Sequence, residues 1–133
     1  MYEHPKLTAF TRTLETLFAG ADEFLEEEWG DAFSLHPNRP ARGATENPLM
    51  DGLFEVIPDF TPGIGSEHGR GYVVSFRAAT LDKINPQQLE FLMGETARFV
   101  AKNLPRYFPG RDLRVVRDGG RFKIVGDFSL GKA

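Results

Sequence analysis

The chain contains no cysteine. Thiol nucleophiles, cysteine zinc sites and a disulfide framework are therefore excluded, and the composition suits a reducing, cytoplasmic setting. Histidine is scarce: His4, His36 and His68 are the three present. No two of them stand at the i, i+4 spacing of a helical metal site, so neither a metal nor a cofactor is expected. There is no Gly-x-Ser-x-Gly element, which removes the nucleophile elbow of the α/β-hydrolases. The glycine-rich stretch 61–71 lacks a Gly-Lys-Ser/Thr ending and leads into a strand pattern rather than a helix, so it fails as a phosphate loop. It reads as a long hairpin connection. Long apolar runs are missing too. No segment approaches the roughly 18 consecutive apolar residues of a membrane span, and residues 1–6 show no basic stretch running into an apolar one, so no secretion signal is expected.

What is present is phenylalanine, twelve of them in a chain of 133 residues that is 41% hydrophobic. That is enough for one ordinary core, and residues 1–133 are read as a single domain. Net charge is −3, but residues 1–66 carry 4 basic and 12 acidic side chains while residues 67–133 carry 12 and 7. Such asymmetry either compensates within the fold or marks a partner surface.

Leu7, Phe10, Leu14, Leu17, Phe18, Ala21 and Leu25 fall on one helical face, so residues 6–29 form a helical region. Pro5 suits its first turn and Gly30 its stop. Gly20 divides the pattern, and the acidic run after Asp22 would favour a second helix starting there. From 31 to 52 no period holds, and a loop of that length in a compact domain is either functional or disordered. A first hairpin follows over 53–81, with its first strand, 53–60, at a sheet edge because Pro58 removes a ladder donor. Asn85-Pro86 with Gln88 is a capping-box signature opening a helix over 85–104, in which Leu89, Leu92, Met93, Thr96, Phe99, Val100 and Leu104 form the buried stripe and Pro105 and Pro109-Gly110 the stop. Asp118-Gly119-Gly120 joins a second hairpin over 112–128. The order α-β-β-α-β-β predicts an α+β domain with a four-stranded, mainly antiparallel sheet and two or three helices on one face. At the level of element order alone this is similar to secretion-chaperone-like folds, which would imply a chaperone- or adaptor-like protein.

Period-2 alternation turns Phe54, Val56, Tyr72, Val74, Phe76, Leu113, Val115, Phe122, Ile124 and Phe128 toward the helices. The opposite face then collects Leu53, Ile57, Val73, Val116 and Val125 among Arg77, Arg114, Arg121, Lys123, Glu55 and Asp127. A face that is neither cleanly polar nor cleanly apolar points to a partner. The expected function is thus non-catalytic protein binding or self-association, as a homodimer, through Ile57, Val73, Arg77, Arg114, Val116, Lys123 and Val125. The competing reading is a small anionic ligand, with a site, conceivably an enzyme's, built by the 36–47 and 66–72 loops. His36, Asn38, Arg39, Arg42 and Asn47 would come from one loop and His68 and Arg70 from the other, since an arginine fork suits carboxylate or phosphate. Glu67 and His68, neighbours on an extended loop, point apart and form no acid–base dyad with each other. Arg111, Arg114, Arg117, Arg121 and Lys123 make the last hairpin basic, yet a chain with pI near 5.6 lacks the dominant basic footprint of a nucleic-acid binder. Glu23, Glu26, Glu27, Glu28 and Asp31 read as a solvated acidic helix end.

Overall fold

The computed structural model describes residues 5–47, 50–65 and 68–128, with side chains from Thr8 onward. The expectations for His4, Leu7, Pro48 and Glu67 fall outside the described residues or side chains. Helix α1 (Pro5–Trp29) is followed by strands β1 (Phe54–Thr61) and β2 (Gly71–Ala78), helix α2 (Pro86–Tyr107), and strands β3 (Leu113–Asp118) and β4 (Arg121–Gly126). The sheet is antiparallel, ordered β1-β2-β4-β3, with both helices packed against it and against each other. This is the α+β fold expected from the element order, and β1, with its Pro58, lies at an edge.

The helices form where the sequence signals them, with two differences. Gly20 does not divide α1, which runs unbroken to Trp29 and stops as Gly30 N–H donates to the Glu26 carbonyl. Gly20 faces α2, where an added Cβ would sit 3.6 Å from the Phe99 ring and 3.9 Å from the Tyr107 hydroxyl. Packing of α1 on α2 holds the segment together where propensity alone would let it break. In α2, the capping box is complete: Asn85 Oδ1 accepts from Gln88 N–H, and Gln88 Oε1 from Asn85 N–H. Pro105 does not end this helix, which continues to Tyr107. Ala101 and Pro105 are both exposed, so the carbonyl that loses its partner lies where water can serve it.

The ten side chains assigned to the helical side of the sheet all belong to the core or pack on it. Phe10 joins the layers, with ring centroids 4.7 Å from Phe108 and 5.9 Å from Tyr72. Leu89 departs from the predicted stripe, at 38% exposure, and Met93 and Phe99 are half-buried. β2 also ends earlier than predicted, at Ala78, leaving Leu81 exposed.

The far side of the sheet differs most from expectation. Val73, Val125 and Lys123 are only 6%, 3% and 1% exposed. They sit on the two central strands, flanked on both sides, and the β1–β2 connection reaches Lys123 through Gly69. The Lys123 ammonium donates to the Gly69 carbonyl and lies 2.7 Å from an Asp118 carboxylate oxygen. Leu53, assigned to this face by alternation, instead precedes β1 and belongs to the core on the helical side, whereas Ile57 and Val116 are half-buried. Arg77 and Arg114 are exposed and pair with Glu55 and Asp112. The broad sticky face predicted from alternation is therefore largely closed by the chain itself.

Candidate functional site

The long connection from α1 to β1 is not loose. Its backbone is tied at both ends of its span: His36 N–H donates to the Ala79 carbonyl, and Gly52 N–H to that of Pro40. Ser34 N–H donates to the Asp82 carboxylate at 2.7 Å. The rest is held by charge. Asp22 lies on the buried stripe of α1, four residues after Phe18 and three before Leu25, and is fully buried. Arg42 Nη1 donates to Asp22 Oδ1 at 3.1 Å and approaches Asp51 Oδ1 at 3.6 Å. Asp51, also buried, accepts from the Thr45 N–H and hydroxyl, both at 2.9 Å. Arg39 donates to the Gly52 and Asp51 carbonyls, and the Glu26 carboxylate accepts from Leu53 and Phe54 N–H as β1 begins.

Two carboxylates around one guanidinium nitrogen leave the buried cluster one negative charge too many. Burial, the largest effect, pushes the Asp22 carboxyl up to about 7; Arg42 opposes this, while Glu26 and Asp51 add to it. The Asp51 carboxyl is held below its ordinary value, first by the Thr45 backbone N–H. Hydrogen bonding to the charged form and burial thus separate the pair, with Asp51 ionised and Asp22 proton-bearing over much of the acidic range. One oxygen of each, Asp22 Oδ2 and Asp51 Oδ1, has no hydrogen-bond partner.

Three clefts surround this connection. The first, about 520 Å³, is lined by Glu26, Asp31, Ala32, Phe33, Arg42 and Asp82 among others. The second, about 340 Å³, opens between the end of α1 and the start of α2, against Trp29, Ala32, Phe33, Gln88, Phe91 and Leu92. Ala32 and Phe33 line both, so the two clefts adjoin, one acidic and one aromatic. Trp29 meets Phe91 edge-on at 5.3 Å and Phe24 at 5.8 Å, while Phe91 keeps 51% of its surface exposed. The third cleft, about 370 Å³, lies on the other side of the connection, between His36, Asn38, Arg39 and Arg77.

The residues assigned to an anion site are thus only partly brought together. His36, Asn38 and Arg39 share the third cleft, and His36 Nδ1 accepts from Asn38 N–H at 3.0 Å. Arg42 is turned inward onto carboxylates. Asn47 is exposed beyond it, its backbone N–H donating to the Thr45 hydroxyl oxygen. His68 and Arg70 belong to the opposite end of the first hairpin: in the β1–β2 ladder Phe54 pairs with Ala78 at one end and Thr61 with Gly71 at the other. Eight residues of strand, on the order of 25 Å, separate the two loops, so they build no common site. Glu26, expected to be solvated, is instead the peg that seats β1. Among the described residues, no three His, Asp or Glu side chains are placed to hold a metal ion, and no helix is long and apolar enough to cross a membrane.

Sequence reasoning passed over the groove itself. Its signals were present: Phe91 stands off the apolar stripe of α2, Trp29 closes α1, and Asp22 occupies a stripe position where a carboxylate must find a partner.

A protein of Borreliella burgdorferi described as "Uncharacterized protein" is 36% identical over 123 residues, which cover 92% of this chain and 96% of that one. No solved structure gives a significant match. Residues 5–126 match the model of a family described as "Uncharacterised protein", and the chain belongs to that family.

Proposed function

We propose that this protein is a non-catalytic, cytoplasmic protein-binding module, chaperone- or adaptor-like, that takes an extended segment of its partner into the two-chambered groove at the end of α1. The observation that carries this reading is Phe91, half exposed on a helix whose other aromatic residues are packed, beside Trp29 and Phe33 at the wall of a ready-made cleft. Clefts lined by aromatic side chains with a few polar groups are the usual form of a binding site, and exposed aromatics of this kind act as anchors in interfaces. The burial of Val73 and Val125 favours the groove over the outer sheet face as the contact surface. The test is a random peptide display selected on the parent protein and re-assayed on two variants. Selected peptides should lose at least roughly tenfold in affinity for Phe91→Ser and bind Val116→Ser unchanged. Equal loss on both, or on neither, would remove the groove from consideration.

A second reading rests on the cleft that His36, Asn38 and Arg39 share with Arg77. With Nδ1 accepting from Asn38, neutral His36 carries its proton on Nε2 and offers a donor. A small carboxylate or phosphate seated there should shift the His36 ring resonances in NMR titrations with citrate or inorganic phosphate. An unchanged His36 spectrum, or one that responds equally in Arg77→Gln, counts against it.

A further inference from the structure

Resting on the groove as the binding surface, the geometry points to its occupant: a basic peptide segment that seats an aromatic or large aliphatic side chain against Trp29, Phe33 and Phe91, with a lysine or arginine beside it entering the acidic chamber. The aromatic chamber alone would accept any apolar side chain. The acidic chamber selects the charge of the residue next to it. Glu26, Asp31 and Asp82 line the acidic chamber; none of the three is ion-paired among the described residues, though Glu26 accepts from Leu53 and Phe54 N–H and Asp82 from Ser34 N–H, which makes exposed Asp31 the most open of them. Arg42, the cation on that wall, is already faced by Asp22 and Asp51. An entering carboxylate would meet like charges, whereas an ammonium or guanidinium would be attracted and steered. Charge of one sign beside an apolar anchor is complementary to the opposite arrangement in a partner.

A second copy of this chain fits less well. Its exposed large apolar side chains include Ile64, which lies between two glycines with no lysine or arginine beside it, and Phe60 and Leu81, which each have an acidic neighbour, Asp59 and Asp82, although Lys83 follows the latter. Docking Phe60 or Leu81 would carry a carboxylate toward the acidic chamber. The amides of Asn85, Gln87 and Gln88 along the aromatic chamber suit a peptide backbone, which needs hydrogen-bonding groups along its length.

Trp29 is the sole tryptophan and stands in the aromatic chamber, so its emission reports occupancy directly. Four capped pentapeptides serve as probes at low ionic strength: Ac-Gly-Phe-Ser-Lys-Gly-NH2 and its analogues with Gln or Glu for Lys, or with Ala for Phe. The Phe/Lys probe should change Trp29 emission saturably, the Phe/Gln probe should bind roughly fivefold more weakly, and the Phe/Glu probe more weakly still. The Ala/Lys probe should give no saturable change. Asp31→Lys, at an exposed position outside the aromatic chamber, should abolish or invert the preference for Lys over Glu. Equal affinity of the parent for the Phe/Lys and Phe/Glu probes would overturn the charge assignment and leave the groove reading standing. No response of Trp29 to any Phe probe, in emission or in its indole NMR signal, would overturn both.

Discussion

At the scale of single residues, Asp22 is the most consequential side chain in the molecule. It sits on the core stripe of α1, where a leucine would be unremarked, and its carboxyl titrates near 7 because burial outweighs the help it receives from Arg42. Folded and unfolded chains therefore hold different numbers of protons between the ordinary carboxyl value of 3.8 and about 7. The native state keeps a proton that the unfolded state releases, so this group's contribution to stability is fully present below the unfolded value and is lost as pH rises through the folded one. At about 1.4 kcal/mol per tenfold, the ceiling on the effect is of order 4 kcal/mol, before relaxation of the loop reduces it. Asp22→Asn, which retains an oxygen for Arg42, should flatten the fall in melting temperature of the parent between about pH 5 and 7, and the two proteins should differ most at the upper end. Parallel melting curves at both ends of that range would show that the carboxyl is ionised throughout. Gly20 supplies the opposite kind of residue, one that asks to be replaced. Alanine there meets Phe99 and Tyr107 at ordinary contact distance and removes the backbone freedom of an interior helical glycine. Gly20→Ala should stabilise by about 0.5–1 kcal/mol, read as a rise of a few degrees in melting temperature.

At the scale of elements, the informative unit is the seam where α1, the long connection and β1 meet. Glu26 serves two successive backbone N–H groups at the start of an edge strand, and Gly52 passes so close that a Cβ would lie 2.8 Å from the Glu26 carboxylate, at a φ of +76° that already favours glycine. Glu26→Ala leaves two buried donors without an acceptor and should cost about 2–4 kcal/mol. Its signature is local: faster amide exchange at Leu53 and Phe54 with α2 unaffected. Uniform acceleration would mean that the seam has no local role. This seam also marks where the sequence stopped being legible. The helices, the capping box, the Asp118-Gly119-Gly120 turn and the parity of every strand were readable because each is set by near neighbours along the chain. Glu26, Arg39, Arg42 and Asp51 looked like solvated or ligand-seeking residues because their partners lie far along the chain, and no periodicity encodes a contact at that separation. The connection between 31 and 52 could be identified as important by its length and prolines, but the three clefts around it exist only once α1, the start of α2, β1 and the end of β2 converge.

At the scale of the whole molecule, strand order decides what alternation cannot. Parity placed Val73, Val125 and Lys123 on the outer face correctly, yet exposure depends on which strands are central and on which loop folds back, and both follow from the β1-β2-β4-β3 order. With that face largely closed and the Trp29–Phe91 groove open, the molecule presents Phe91 at one end, next to its acidic helix terminus, and Phe60 on the edge strand at the other. Two charge insertions separate the surfaces. Val73→Glu places a carboxylate in a buried site beside the Lys123–Gly69 contact and should act on folding, with a loss of about 3 kcal/mol or more. Phe91→Glu adds a charge where half the side chain already meets water, and it should leave the melting temperature within a few degrees of the parent while removing affinity for any segment that uses the groove. Light scattering on the parent and on Phe91→Glu then addresses self-association. If the parent forms dimers and this variant does not, copies of the chain meet through the groove. Dimers that persist in Phe91→Glu would place the contact elsewhere, and the half-buried Ile57 and Val116 near the sheet edges would be the next positions to charge.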